Sequence, residues 1–283
     1  MIQKYLAGSL SLEHLHIPVV GLPAHLAGTK LVQLSDFHYD GLRLSDGLLT
    51  QAIATANSLN PDLVLLTGDY ITDDPHPIKG LVKHLSNLTA QQGVYAVLGN
   101  HDLYWRGARE KVQHSLESVG VRVLWNEVCF PLGQGLAMVG LADYWSKEFQ
   151  PAGVFEQIDP NTPRIVLSHN PDSAADMTQW RIDLQLSGHT HGGQVVIPGV
   201  GPLIGKLHQW RKQYFPAWEE RCEKIVEHWE WSAGLHQVGR NWLYINRGLG
   251  TYFPGRLFCP PELTLFTLQP TPHTPAMPVP PAP

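Results

Sequence analysis

The sequence predicts an α/β protein. Short apolar runs alternate with helical patterns through the first 120 residues. Each run stops at a cluster rich in Asp, Asn or His, where a strand of an open α/β sheet presents its carboxyl end. The second half is richer in strands, with turns between them.

The first strand is Leu31-Val32-Gln33-Leu34, which ends at Ser35-Asp36-Phe37-His38. A helix is expected next, with Leu48, Leu49, Ile53 and Ala56 on one face and Ser45 placed to cap it. Residues 62–67 form a continuous apolar run, the pattern of a strand covered on both sides, and lead into Gly68-Asp69. Leu81, Val82, Leu85 and Leu88 mark another helix. Residues 94–98 run into Gly99-Asn100-His101-Asp102, and 108–119 reads as a helix. Further strands are expected at 121–124, 136–141, 164–167, 184–186, 242–245 and 263–266. The strand at 164–167 ends at Ser168-His169-Asn170-Pro171, and that at 184–186 ends in the run from Ser187 to Gln194. From Pro270 to Pro283, seven of fourteen residues are proline. That segment is expected to be a disordered tail outside any sheet, leaving 1–269 as one domain.

Composition narrows the function classes. Hydrophobic residues make up 43% and charged residues 16%, enough for a sizeable core. A formal net charge of −5 argues against a salt-dependent grip on nucleic acid. Cys129, Cys222 and Cys259 are odd in number, far apart and without a CxxC pair. A disulfide scaffold or a structural zinc ribbon is therefore not expected, and a reducing, cytoplasmic setting is expected. The apolar stretch 17–23 is too short and too broken by Pro and Gly to span a bilayer. A soluble protein is expected, attached at most to the inner membrane surface.

Fifteen histidines are the unusual number. Seven residues with metal-ligand chemistry sit at five strand ends: Asp36 with His38, Asp69, Asn100, His169, and His189 with His191. His101 follows Asn100 directly. Asp36, Asp69 and Asn100 are spaced by 33 and 31 residues, the length of one β-α unit. A single carboxylate can bridge two cations while His, Asp and Asn complete each shell. Mixed N/O donors suit Mn²⁺, Fe or Zn²⁺ rather than Ca²⁺ or Cu. Two such ions, about 3.5–4 Å apart, clamp phosphoryl oxygens and acidify a bridging water. Alone, Asp36-x-His38 would pass for a capping pair and Gly68-Asp69 for a turn; the five in order carry the argument.

These residues resemble the signature of the calcineurin-like metallophosphoesterases: Asp36-x-His38, Gly68-Asp69, Gly99-Asn100-His101-Asp102, a lone His169, and Gly188-His189-x-His191. The run Gly188-His189-Thr190-His191-Gly192-Gly193-Gln194 is similar to a bacterial phosphodiesterase-like subgroup. So is the stretch from Asn246-Arg247-Gly248-Leu249-Gly250 through Cys259-Pro260-Pro261-Glu262-Leu263. The resemblance implies a four-layer α/β/β/α sandwich of two mixed sheets with a dinuclear site at one edge. Asp36, His38 and His191 would then hold one ion, Asn100, His169 and His189 the other, and Asp69 would bridge them. Mn²⁺ is the first expectation, with Fe and Zn²⁺ as alternatives. His101 would face the substrate, stabilise charge and protonate the leaving oxygen. Asp102 would support the site without ligating.

The implied reaction is hydrolysis of a phosphodiester or pyrophosphate by a metal-bridging hydroxide. Some members of the subgroup act on lipid-linked substrates, including UDP-2,3-diacylglucosamine. Alternatives are a broad phosphomonoesterase, a nucleotide or cyclic-nucleotide phosphodiesterase, and a non-catalytic metal-binding scaffold. In the protein-phosphatase branch an aspartate three residues beyond the bridging Asp orients the catalytic histidine; here that position is Thr72, with Asp73 next to it. No matching arginine is present to clamp a phosphomonoester dianion, which favours a less charged diester or pyrophosphate. Arg247 is a candidate substrate-phosphate contact, with structural ion pairing as the other reading.

Residues 205–232 stand apart, with four of the nine tryptophans (Trp210, Trp218, Trp229 and Trp231) among mixed charges. Residues 219–231 fit a helix with Cys222, Ile225, Val226 and Trp229 on one face. The segment follows the His189/His191 loop and is expected near the site, either as a packed helical hairpin or as a lid or membrane arm. The oligomeric state is left open.

Overall fold

In the computed structural model of the chain, residues 7–214 and 225–271 are described. One sheet contains β1 (Ser11–Val20), β2 (Lys30–Leu34), β3 (Leu63–Leu66), β4 (Val94–Ala96), β5 (Val121–Val123) and β14 (Glu262–Thr271), in the order β1-β14-β2-β3-β4-β5. The other contains β6 (Glu127–Cys129), β7 (Ala137–Gly140), β8 (Arg164–Leu167), β9 (Leu184–Ser187), β12 (Gly234–Val238) and β13 (Asn241–Ile245), in the order β12-β13-β9-β8-β7-β6. Both sheets are mixed: β2, β3, β4 and β5 run parallel while β14 lies antiparallel to β2. A small hairpin, β10 (Val196–Ile197) with β11 (Gly201–Pro202), projects between them in sequence.

The strands alternate between two cores, as their period of two requires. On β3, Leu63 and Leu65 face the second sheet, where they meet Met138, Ile165, Leu184 and Leu186. Val64 and Leu66 face the other way, onto the helices α1 (Asp46–Ser58), α2 (Ile78–Leu85) and α3 (Ala108–Glu117). The second sheet turns Ala137, Val139 and Val166 outward against α4 (Pro151–Phe155) and Met177. Ala174 of α5 (Ser173–Asp176) packs on Leu243 and Ile245. The layers are therefore helix, sheet, sheet, helix. Truncating a side chain as enclosed as Leu65 should cost about 2–5 kcal/mol. Ser45 caps α1 as expected, its hydroxyl accepting from the Leu48 amide at 3.3 Å.

Two expectations change. Pro270 and Thr271 are strand residues, paired with Val19 and Val20 of the edge strand β1. Beyond Thr267 the chain no longer pairs with β2, so the N–H that proline lacks costs no ladder bond there. Residues 272–283, the rest of the proposed tail, lie outside the described residues. The second change concerns the Trp-rich segment. Its described α-helix is α6 (Leu203–Tyr214), whereas 225–231 carries a single 3₁₀ turn at Trp229–Trp231; 219–224 lie outside the described residues. β1, β6 and β12 were not expected from the sequence.

Candidate metal centre

The first sheet delivers Asp36 and His38 after β2, Asp69 after β3, and Asn100 and His101 after β4. The second delivers His169 after β8 and both His189 and His191 after β9. Sharp turns do the delivery. Asp36, Asp69, His38, His189 and His191 all have left-handed backbone, with φ of 50°, 55°, 41°, 71° and 52°. Each such non-glycine residue costs about 1 kcal/mol or more, so the surroundings must hold it. They do so through buried polar contacts. The Asp102 carboxylate accepts from the amides of Gly99 (2.9 Å), Asp69 and Tyr70 (3.0 Å each) and Ile71 (3.3 Å), tying two strand ends together. Two glycines permit the close approach. A Cβ at Gly188 would lie 2.2 Å from Asp36 Oδ2, and one at Gly68 would lie 2.7 Å from His169 Nδ1.

Six of the seven residues expected as ligands fall into close donor groups, Asn100 lines the same cavity, and His101 groups with His38 and Asp69. Asp36, His38 and His191 form one group, and Asp69, His169 and His189 another, with donor atoms within 4.8 Å of one another in each. Asp69 joins the two. Its Oδ2 lies 3.4 Å from His38 Nε2 and 3.1 Å from His169 Nε2. His38 Nε2 faces His191 Nε2 at 3.0 Å, and His191 Nε2 lies 3.5 Å from Asp36 Oδ1. Two donors each about 2.1 Å from one cation lie about 3.0–3.4 Å apart, so these spacings match the edges of coordination shells.

The unpartnered atoms agree with that fit. His189 Nδ1 and Asn100 Oδ1 are buried without a hydrogen bond, and His169 Nε2 faces the Asp69 carboxylate. In each ligand imidazole the other nitrogen is anchored. His169 Nδ1 donates to Thr67 O (2.6 Å), His189 Nε2 to Ile225 O (2.6 Å), and His191 Nδ1 to Gly250 O (3.2 Å). His38 Nδ1 faces the Tyr252 hydroxyl at 3.0 Å. Carbonyl anchoring of this kind fixes the tautomer that leaves a lone pair for a cation.

The buried charges at the site oppose one another. Burial opposes charge on His169, yet Asp69, Asp36 and Asp143 raise its pKa to about 10. Burial likewise opposes ionisation of Asp69, but His169 and His101 hold it well below the usual carboxylate range. Burial lowers His189 to about 3, with the His169 charge adding to the effect. Asp102 is raised to about 8 by burial and by the charge of Asp69, against its four N–H donors.

His101 donates through Nδ1 to Thr72 O at 2.7 Å, and its own amide donates to Asp69 Oδ1 at 3.0 Å. A backbone carbonyl thus orients the ring where another branch uses a carboxylate; Asp73 stands 4.0 Å away. Arg247 is elsewhere engaged. Its guanidinium contacts Glu13 Oε1 (2.5 Å) and Glu262 Oε2 (2.6 Å), and it does not line the cavity over the site.

That cavity has a volume of about 760 Å³ and is floored by Asp69, Asn100, His101, His189 and His191. Tyr104, Trp145, Tyr252, Ile204, Ile225 and Trp229 form its walls, so the Trp-rich segment does border the site. Tyr252 and Asp143 were missed from the sequence. Asp143 ends the 136–141 run, so the strand-end rule would have found it. It is buried, with Oδ2 unpartnered. Tyr252 lies in a loop with no pattern to mark it.

The family model for calcineurin-like phosphoesterases matches residues 29–193, the span holding every one of these candidate ligands. The chain belongs to the calcineurin-like phosphoesterase family. It is 33% identical over 246 residues to phosphodiesterase YaeI of Escherichia coli (strain K12), covering 84% of this chain and 82% of the relative. Identity is also 33% over 259 residues with the uncharacterized metallophosphoesterase YkuE of Bacillus subtilis (strain 168), at 88% and 82% coverage. With UDP-2,3-diacylglucosamine pyrophosphatase LpxG of Chlamydia muridarum it is 28% over 291 residues, at 86% and 84%. The calcineurin-like phosphoesterase described here is a metal-dependent phosphoesterase with the fold of its family.

Proposed function

We propose that the chain hydrolyses a phosphodiester or pyrophosphate bond, with Asp36, His38 and His191 holding one divalent ion, Asn100, His169 and His189 the other, and Asp69 both. When bound, the ions supply Lewis-acid polarisation of the phosphoryl group and acidify the attacking water. The donor set fits Mn²⁺, Fe or Zn²⁺, with Mn²⁺ preferred. His101, held by Thr72 O, protonates the leaving oxygen from Nε2. Burial lowers the His101 pKa, with Asp69 pulling the other way, so the acid form is the easily spent one.

The carrying observation is the cavity lining: among the described residues, no lysine or arginine reaches it. A phosphomonoester dianion would meet no cationic side chain there, whereas a diester or pyrophosphate needs less compensation and more room. Wild-type enzyme should therefore favour bis-p-nitrophenyl phosphate over p-nitrophenyl phosphate. A preference for the monoester would overturn this reading.

The apolar walls support a lipid-linked substrate of the kind named for LpxG, with Ile204, Ile225 and Trp229 beside an acyl chain. Outside the cavity, Leu203, Leu207, Trp210 and Tyr214 follow one another at helical spacing along α6 and are exposed. Phe253 and Phe258, 91% and 69% exposed, also stand in solvent, on the loop that joins Gln194 and Val196 through Leu257. No helix among the described residues is long and apolar enough to cross a membrane. Peripheral contact with a bilayer through this face is the arrangement we propose.

A further inference from the structure

A second cleft, of about 440 Å³, adjoins the metal cavity and shares Asn100, Tyr104 and Trp145 with it. Its walls come from the loop after β4, through Trp105 and Arg106, the start of α3, through Arg109 and Glu110, Trp125 after β5, and the loop after β7, through Asp143 and Glu148. The partition between cavity and cleft is firm. Tyr104 accepts from Asn100 Nδ2 at 2.6 Å, and the Trp145 ring meets His189 edge-on at 4.8 Å.

The charges in the cleft fall into two sets. Arg109 is spent: it binds Glu148 at 2.9 and 3.0 Å and lies 4.0 Å over the Trp125 ring. Arg106 and Trp105 are not. Their side chains make no hydrogen bond, ion pair or ring contact among the described residues, and both are exposed. Asp143 and Glu110 add carboxylates to the same walls. The walls mix the aromatic rings of Tyr104, Trp105, Trp125 and Trp145 with the charges, so a ligand that is both planar and polar suits them better than an acyl chain. A simple anion would meet the carboxylates. A nucleoside satisfies the whole set: a planar base stacks on Trp105, ribose hydroxyls donate to carboxylate oxygens, and Arg106 meets an adjoining phosphate.

We propose that this cleft is a nucleoside subsite, so that the phosphoesterase acts on a nucleotide-linked phosphate ester whose base and ribose lie beside Trp105 and Arg106. The inference rests on the dinuclear phosphodiesterase reading and refines its substrate class. Neither side chain belongs to the metal centre, so each can be changed without touching it.

Two diesters with the same leaving group separate the effects: thymidine 5′-(p-nitrophenyl phosphate) and methyl p-nitrophenyl phosphate. Wild type should prefer the thymidine ester in kcat/KM, and Trp105→Ala should lower that ratio about tenfold, the worth of one base stack, with the methyl ester unchanged. Uridine 5′-diphosphate should compete with the methyl ester, and Arg106→Ala should weaken that inhibition about tenfold while Arg106→Lys retains most of it. An unchanged ratio in Trp105→Ala, or equal losses on both esters, would overturn the subsite. So would UDP inhibition that Arg106→Ala leaves untouched. If wild type cleaves neither ester while loaded with metal, the phosphodiesterase reading itself has failed.

Discussion

In the proposed mechanism, His101 is the residue that separates catalysis from metal binding. Its Nδ1 is fixed to a carbonyl, and its ring meets that of His38 edge-on at 4.8 Å. His101→Ala should retain both ions and lose about 10²–10⁴-fold in kcat, as measured by metal analysis beside steady-state rates. Full activity in that variant would remove the proton donor from the account. His169 makes a different prediction. Its metal-free pKa of about 10, against an ordinary value of 6.5, means that its imidazolium stabilises the metal-free fold. That contribution is complete below about pH 6.5 and fades as pH rises through about 10. Near pH 8 the ring is protonated, so loading the site must expel a proton. Calorimetry in buffers of different ionisation enthalpy should find at least one proton released as the His169 site fills, that of His169 adding to any from the acidified water. Zero release would contradict the charge assignment. The ligand types and their order were legible because strand ends must present polar residues where ligands bind. Tyr252 and the Thr72 carbonyl were not, since one sits in an unpatterned loop and the other acts through the backbone.

At the level of elements, the strands ending in His, Asp or Asn were readable because their apolar runs are short, continuous and punctuated by Gly. β1 was not: its burial alternates, with His14 and His16 on the exposed face and Ile17 and Val19 enclosed. Its pairing with β14 is long range and leaves no local signature. The helix in the Trp-rich segment was displaced for a related reason. Residues 219–231 have an apolar stripe, but the described part is fixed by tertiary contacts: Asp172 accepts from the Glu227 and His228 amides at 2.7 and 3.1 Å. The stripe on α6 faces outward instead. Leu207→Glu combined with Trp210→Glu should reduce co-sedimentation with vesicles containing anionic lipid, leaving hydrolysis of a small soluble diester within about twofold. Equal binding before and after would remove the membrane role from α6.

Across the whole molecule, the two sheets are docked so that strand ends from each meet at one edge. The inter-sheet core of Leu63, Leu65, Ile165 and Leu186 sets that meeting, and Gln33 ties it by donating to Ser187 O at 2.9 Å. One carboxylate, Asp69 from the first sheet, then reaches His169 from the second while still facing His38 from its own. That single side chain is where fold and chemistry join. Metal stoichiometry of wild type and Asp69→Asn, by mass spectrometry after equilibration with Mn²⁺, tests the arrangement most directly. Two ions per chain in the wild type and loss of at least one in the variant are the predicted results. A variant that keeps both ions would contradict the account.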